Sequence, residues 1–172
     1  MHASAIIRQL DALLPTIDGL LIGLDPRDAR WKPPSGGWSI LEIICHLVDE
    51  ERDDFGARLR STLEDPARPW PPIDPEGWAR TRAYNDRSLP EQLDALRAAR
   101  SASLTWLRTV VDADWSRAHH HPKFGPISAG DLLSGWAAHD LLHIRQLTKR
   151  RFELTARDAE PFSTRYAGDW GA

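Results

Sequence analysis

The sequence predicts an all-α protein: a four-helix bundle with a long crossover between its second and third helices. Two observations carry that expectation. Four segments place apolar residues three and four apart, the spacing of a single helix face, and no stretch alternates for long enough to make a convincing strand. The prolines supply a third, because they cluster between those segments, and proline lacks the amide proton that a helix interior needs.

Ile6, Leu10, Leu13, Ile17, Leu20 and Leu24 mark the first helix over about residues 3–24, with Pro15 either kinking it or beginning a second piece. The run DPRDARWKPPSGG, from Asp25 to Gly37, holds three prolines and two adjacent glycines and reads as a loop. Ser39 then stands three residues before Glu42, the spacing at which each side chain satisfies an exposed amide at a helix start. A second helix is expected from there to about Leu63. Between Glu64 and Leu89 come Pro66, Pro69, Pro71, Pro72 and Pro75 together with Trp70, Trp78 and Tyr84, a long connection whose aromatics favour a packed crossover.

Leu93, Leu96, Leu104, Leu107 and Val111 mark the third helix, which starts near Pro90, where proline is tolerated in the first turn. A second irregular stretch, from Asp112 to Ile127, includes HHHPKFGP. Ser128 and Asp131 repeat the capping-box spacing, so the fourth helix begins there and runs to about Arg151. The remaining residues are polar and mixed, a short turn followed by a tail lying on the bundle.

At 172 residues and 41% hydrophobic content, the chain is expected to form one domain over residues 1–172. Its net charge of -3, from 22 basic and 25 acidic residues well mixed along the chain, supplies no basic stripe, which argues against a nucleic-acid partner. No window approaches the roughly 18 apolar residues of a membrane span, and no secretory leader is recognisable, so a soluble cytoplasmic protein with no membrane partner is expected. The one cysteine, Cys45, makes no internal disulfide and excludes a thiolate-rich metal site.

The chemistry gathers in the second and fourth helices. In GWAAHDLLHIRQL, His139 and His143 are four residues apart and stack on one helical face. They share that face with Leu132, Trp136, Gln146 and Leu147, which reads as the interior stripe, and two inward imidazoles need polar partners. Histidines four apart also arise by chance, each bonded to a carbonyl or facing water. In GWSILEIICHLVDEE, His46 lies at the margin of the apolar stripe of Ile40, Ile44, Leu47 and Val48, where it could line a cleft between helices. Three imidazoles plus water make an open site suited to zinc, nickel or similar ions.

WSILEIICHLVDEE, followed about ninety residues later by AAHDLLHIRQL, resembles the DinB/YfiT-like family of small candidate metalloenzymes. The likeness covers nearly the whole chain, through a WSxxExxxHLxDxE helix, a long crossover and a closing HDxxHxxQL helix. It implies an up-down-down-up bundle, commonly dimeric, with three histidine metal ligands that fall by motif position on His46, His139 and His143. Some relatives are transferases or isomerases that use a low-molecular-weight thiol, and others look hydrolytic.

The expected function is therefore that of a metal-binding protein, a metal-dependent transferase or hydrolase acting on a small-molecule substrate, with a non-catalytic metal- or ligand-binding stress-related protein as the alternative. Glu50 and Gln146 are the candidate catalytic residues. Glu50 lies four positions after His46 on its side of the helix, and Gln146 lies one turn beyond His143. Asp49 is a further candidate, Asp53 and Asp54 read as a solvated face, and Asp140 reads as a surface charge. His119, His120 and His121 are expected to be exposed, Cys45 buried, and Trp31, Trp38 and Trp136 packing aromatics. Of these three, Trp136 lies on the histidine side and is the one that would meet substrate if any does.

Overall fold

The computed structural model describes residues 1–171. In chain order its helices are α1 (Ala3–Leu21), α2 (Pro26–Arg30), α3 (Ile40–Arg52), α4 (Phe55–Glu64), α5 (Pro75–Thr81), α6 (Leu89–Thr109) and α7 (Ala129–Asp158). A hairpin of β1 (Ala118–His121) and β2 (Gly125–Ser128) precedes α7. α1, the α3–α4 pair, α6 and α7 are the four members of the expected bundle.

Their directions follow from what each one touches. Ile7 and Leu10 of α1 pack among Leu132, Leu133 and Trp136, whereas Ile17 and Leu21 pack in the cluster of Leu147 and Leu154, so α1 and α7 run parallel. Arg97 bonds to Asp18, and Arg108, further along α6, to Asp11, so α6 runs against α1. Leu96 belongs with Ile40–Val48 of α3, while Leu104 and Leu107 belong with Leu59 and Leu63 of α4, so these elements run in the same direction. The topology is up-down-down-up, and the second and third members, being parallel neighbours, require the crossover between them to return the length of the bundle.

Both predicted capping boxes are present. Ser39 Oγ accepts from Glu42 N while the Glu42 carboxylate accepts from Ser39 N, and Ser128 and Asp131 repeat the exchange. α1 ends at Leu21 rather than about residue 24, and it runs through Pro15, which lies on the exposed face where water can meet the carbonyl that proline leaves free. The expected second helix is interrupted at Asp53 and Asp54. A Cβ on Gly56 would fall 2.0 Å from the Glu51 carbonyl oxygen, so the backbone folds back on itself there as only glycine permits. The Asp25–Gly37 loop contains α2, capped by Asp25, and α7 continues past Arg151 to Asp158. The hairpin was not foreseen from sequence, because its four-residue strands are too short to show alternation and one of them is the histidine run.

The crossover is packed, as its aromatics predict. Tyr84 is fully buried and donates its hydroxyl to Asp49, Arg82 pairs with Asp49 and Asp53 at 2.8 and 2.7 Å, and Ser39 Oγ bonds to Asn85 Oδ1. Trp170 of the C-terminal segment rests on Phe152, 5.6 Å between ring centres. No described helix is long and apolar enough to cross a membrane.

The core falls into two apolar clusters, one around Ile17, Ile44, Leu96 and Leu147, the other around Leu10, Leu59, Leu107 and Trp136. Between them lies a buried charged layer. Arg100 donates to Glu51, to Asp140 Oδ2 at 2.6 Å and to the Leu10 carbonyl at 2.8 Å, and Ser103 donates to Glu51 at 2.8 Å. Asp140 is therefore no surface charge; it has no solvent exposure at all. α7 is enclosed by α1 on one side and by α3–α4 on the other, which widens its buried arc beyond a single apolar stripe. Removing one member of such a layer strands the others without counter-charges. Arg100→Met should lose about 3–5 kcal/mol in urea unfolding, and the triple variant Arg100→Met, Glu51→Leu, Asp140→Leu should recover most of that loss.

Candidate metal centre

α3 and α7 run antiparallel and touch near the middle of the bundle. His46 projects from α3, and His139 and His143 from successive turns of α7, so the three rings meet in the seam. Ring centres are 4.3 Å apart for His139 and His143, 4.7 Å for His46 and His143, and 5.3 Å for His46 and His139. One nitrogen from each ring lies within 4.8 Å of the others. Nε2 of His139 and Nε2 of His143 are 3.1 Å apart.

That spacing fits a shared ion. Two nitrogens held at about 2.0–2.1 Å from one zinc-sized ion stand about 3.3 Å apart at the tetrahedral angle. The donors are also in the right protonation state. Burial, reinforced by the neighbouring imidazoles, pushes His46 down to about 3 and His139 down to about 4, and burial lowers His143 as well. All three rings are neutral near pH 7 and present lone pairs. The Nδ1 atoms of His46 and His139 are enclosed with no hydrogen-bond partner.

The surrounding groups orient these rings. Gln146 Oε1 lies 2.9 Å from His143 Nδ1, and if it accepts that ring proton, Nε2 is left bare toward the other histidines. Glu50 Oε1 is 3.4 Å from His46 Nδ1, too poorly aligned to be a hydrogen bond and, with both groups neutral, no ion pair. Burial, then the charge and hydrogen bond of Asp54, pushes the Glu50 carboxyl up to about 8. Asp54 is raised by burial too, against the pull of Arg58 at 2.9 Å, so the two carboxyl groups hold a proton between them.

Trp38 lies 4.9 Å from the His46 ring and stacks parallel to His143 at 6.5 Å, while Phe55 covers His139 at 5.2 Å. Beyond the rings a cavity of about 750 Å³ opens between the Ser35–Trp38 loop, the start of α5 and one side of α7.

All five residues singled out in the sequence come together in this cavity: His46, His139, His143, Glu50 and Gln146. Asp49 does not, since Tyr84 and Arg82 hold it on the other side of α3. Asp54, expected on a solvated face, is buried beside Glu50, because α4 folds back over it. Trp38 rather than Trp136 lines the cavity, and Trp136 is fully buried, stacked on Phe55. His119 is buried rather than exposed, stacked on Trp70 at 4.2 Å with Nδ1 3.0 Å from the Pro66 carbonyl, and the run of three lines a different cavity. Cys45 is buried as expected, and burial holds its thiol up at about 12. The signal that marks Trp38 is its place one residue before the Ser39 cap, at the mouth of the helix that carries His46.

Residues 9–147 match the family model of the DinB superfamily. Among curated proteins, the chain is 28% identical over 150 residues to an Oceanobacillus iheyensis protein named as a candidate metal-dependent hydrolase, spanning 84% of this chain and 85% of that one. It is 24% identical over 119 residues to YfiT of Bacillus subtilis, named in the same way, spanning 67% of this chain and 66% of that one. The solved structure of YfiT, described as having an unusual four-helix bundle topology, superposes with a TM-score of 0.79 at 18% identity, covering 89% of this chain and 87% of that one. TT2238, a four-helix bundle protein, superposes at 0.60 with 24% identity, covering 86% and 98%.

The depressed histidines set a pH dependence for the metal-free protein. Unfolded histidines take up protons near 6.5, whereas folded His46 and His139 do so only near 3 and 4, so stability present above 6.5 is lost as pH falls below it. The loss should approach about 1.4 kcal/mol per pH unit for each such histidine. Urea midpoints between pH 7 and 5 should fall less steeply in His46→Gln than in the wild type; equal slopes would contradict neutral buried imidazoles.

Proposed function

The chain belongs to the DinB superfamily, and from that premise we propose that it is a metal-dependent enzyme acting on a small molecule, with one divalent ion held by His46, His139 and His143. The observation that carries this reading is the inward cluster of three neutral imidazoles at the wall of an open cavity. Zinc and nickel are the proposed ions, both suited to an imidazole set with a position left for a further ligand.

Hydrolysis is the first chemistry proposed, in keeping with the names of the curated relatives. Transfer involving a low-molecular-weight thiol is the second, favoured by a cavity of about 750 Å³ that has room for two small reactants beside the histidines. When bound, the ion supplies Lewis-acid polarisation of a substrate and a lowered pKa for a water or thiol next to it. Glu50, at about 8, gives and takes a proton near neutral pH from a position beside His46. Gln146 holds the His143 ring in place, and Trp38 and Phe55 shield two sides of the cluster from bulk water. The proposal takes the chain as one domain working in the cytoplasm, where Cys45 stays reduced, and as a homodimer on the strength of the family likeness.

Purified protein should contain about one ion per chain and His143→Ala close to none, read by elemental analysis; equal contents in the two would overturn the assignment. Turnover on a panel of esters, amides and thiol–electrophile pairs should vanish on chelation and in His46→Ala. Retained metal with no turnover across the panel would favour the non-catalytic binder. Glu50→Gln should keep its metal and lose about 10²–10⁴-fold in kcat, the range of a missing general acid or base.

A further inference from the structure

We propose that the end of the cavity beyond the histidines is a carboxylate-binding subsite built on Arg150, so that a substrate or co-substrate of this protein carries a carboxylate group. The inference rests on the metal-centre reading of the histidines for its link to chemistry, but the subsite has its own physical basis.

His139, His143, Gln146 and Arg150 follow one another along α7 at spacings of four, three and four, a single stripe facing the cavity. Seven residues separate His143 from Arg150, a rise of about 10 Å. A helical side chain leans toward the N-terminus of its helix, which carries the guanidinium back toward the histidines. Arg150 is only 7% exposed. Its Nε and Nη1 are enclosed with no aligned acceptor. Glu153 Oε2 approaches Nη1 to 2.7 Å but off the N–H direction, so it neutralises charge without satisfying the donors. Enclosed guanidinium donors without acceptors are costly, and a planar carboxylate is the group that fills one of them together with Nη2 along a bidentate edge of the guanidinium.

The surroundings keep that face open. A Cβ on Gly37 would come within 3.4 Å of Arg150 Nη2, so glycine at this position leaves the space beside Nη2 free of a side chain from residue 37. Lys149 lines the same cavity and is half-buried. The acidic groups Glu50 and Asp54 sit at the histidine end, already occupied with each other and with Arg58. Glu76 also lines the cavity but is exposed to water and screened. Arg150 and Lys149 against Glu153 leave a local charge of one positive unit, which suits a single negative charge better than a phosphate dianion.

The test uses cobalt-loaded wild type, Arg150→Gln and Arg150→Lys, titrated with 4-mercaptobutyrate and with 4-mercaptobutanol, following the sulfur-to-metal absorption. The acid should bind the wild type about tenfold more tightly than the alcohol, the preference should vanish in Arg150→Gln, and Arg150→Lys should restore part of it. Equal binding of the two compounds by the wild type, or a preference that survives Arg150→Gln, would overturn the subsite. Metal-free protein titrated with butyrate and butanol, read on the Arg150 Nε–H resonance, separates the two readings. Failure to take up cobalt sinks the metal centre alone, while a shift with butyrate and not with butanol still supports the subsite, and no shift overturns it. Tighter binding of propylphosphonate than of butyrate would overturn the carboxylate assignment.

Discussion

Everything about the site depends on the buried charged layer at Arg100. This one side chain reaches Glu51 on α3, Asp140 on α7 and a carbonyl on α1 while itself belonging to α6, so it touches all four members of the bundle. Apolar side chains above and below it attract without direction and would tolerate a slip of one helix along another. The charged layer does not, because a slip would leave three enclosed ionic groups without partners. Burial works against the Arg100 charge, but Asp140 and Glu51 more than offset it, and the guanidinium is held firmly protonated.

The layer sets the histidine seam by adjacency. Glu51 follows Glu50, and Asp140 follows His139, so holding the one pair in register aligns the other. The same turn of α3 therefore presents one acidic side chain to the bundle centre and the next to the cavity. Burial then acts on the two kinds of group in opposite ways. It strips protons from the histidines and keeps one on Glu50, so the seam holds three bare imidazoles beside a protonated carboxyl near neutral pH. Further along α7 the character changes to cationic at Lys149 and Arg150. One helix thus carries the cavity from its metal-ligating type of residue to its anion-binding type within four turns.

Much of this was legible from residues alone. The two capping boxes located the starts of α3 and α7, and the His139–His143 spacing located their shared face, because both depend on contacts within a turn or two. What was missed depends on a local reversal of the backbone that the apolar period does not show, or on contacts distant in sequence. The interruption at Asp53 and Asp54 arises where Gly56 folds back against Glu51, and the acidic run DEERDD looked like an ordinary solvated face. Asp54 and Asp140 became buried because a second element closes over each. His119 left the surface because Trp70, about fifty residues earlier, came to stack on it.

The sequence by itself determined the helical periods, the helix starts and the residue types that can hold a metal, since those follow from local geometry and side-chain chemistry. The tertiary structure brought His46 to the α7 pair, a grouping that the family resemblance implied but helical periodicity did not, and it alone decided that Trp38 rather than Trp136 faces the cavity and that Arg150 is enclosed with Nε and Nη1 unfilled. The reason is that a helical wheel shows which residues share a face, whereas burial, protonation state and the partner across a seam depend on which helices become neighbours, and in what direction they run.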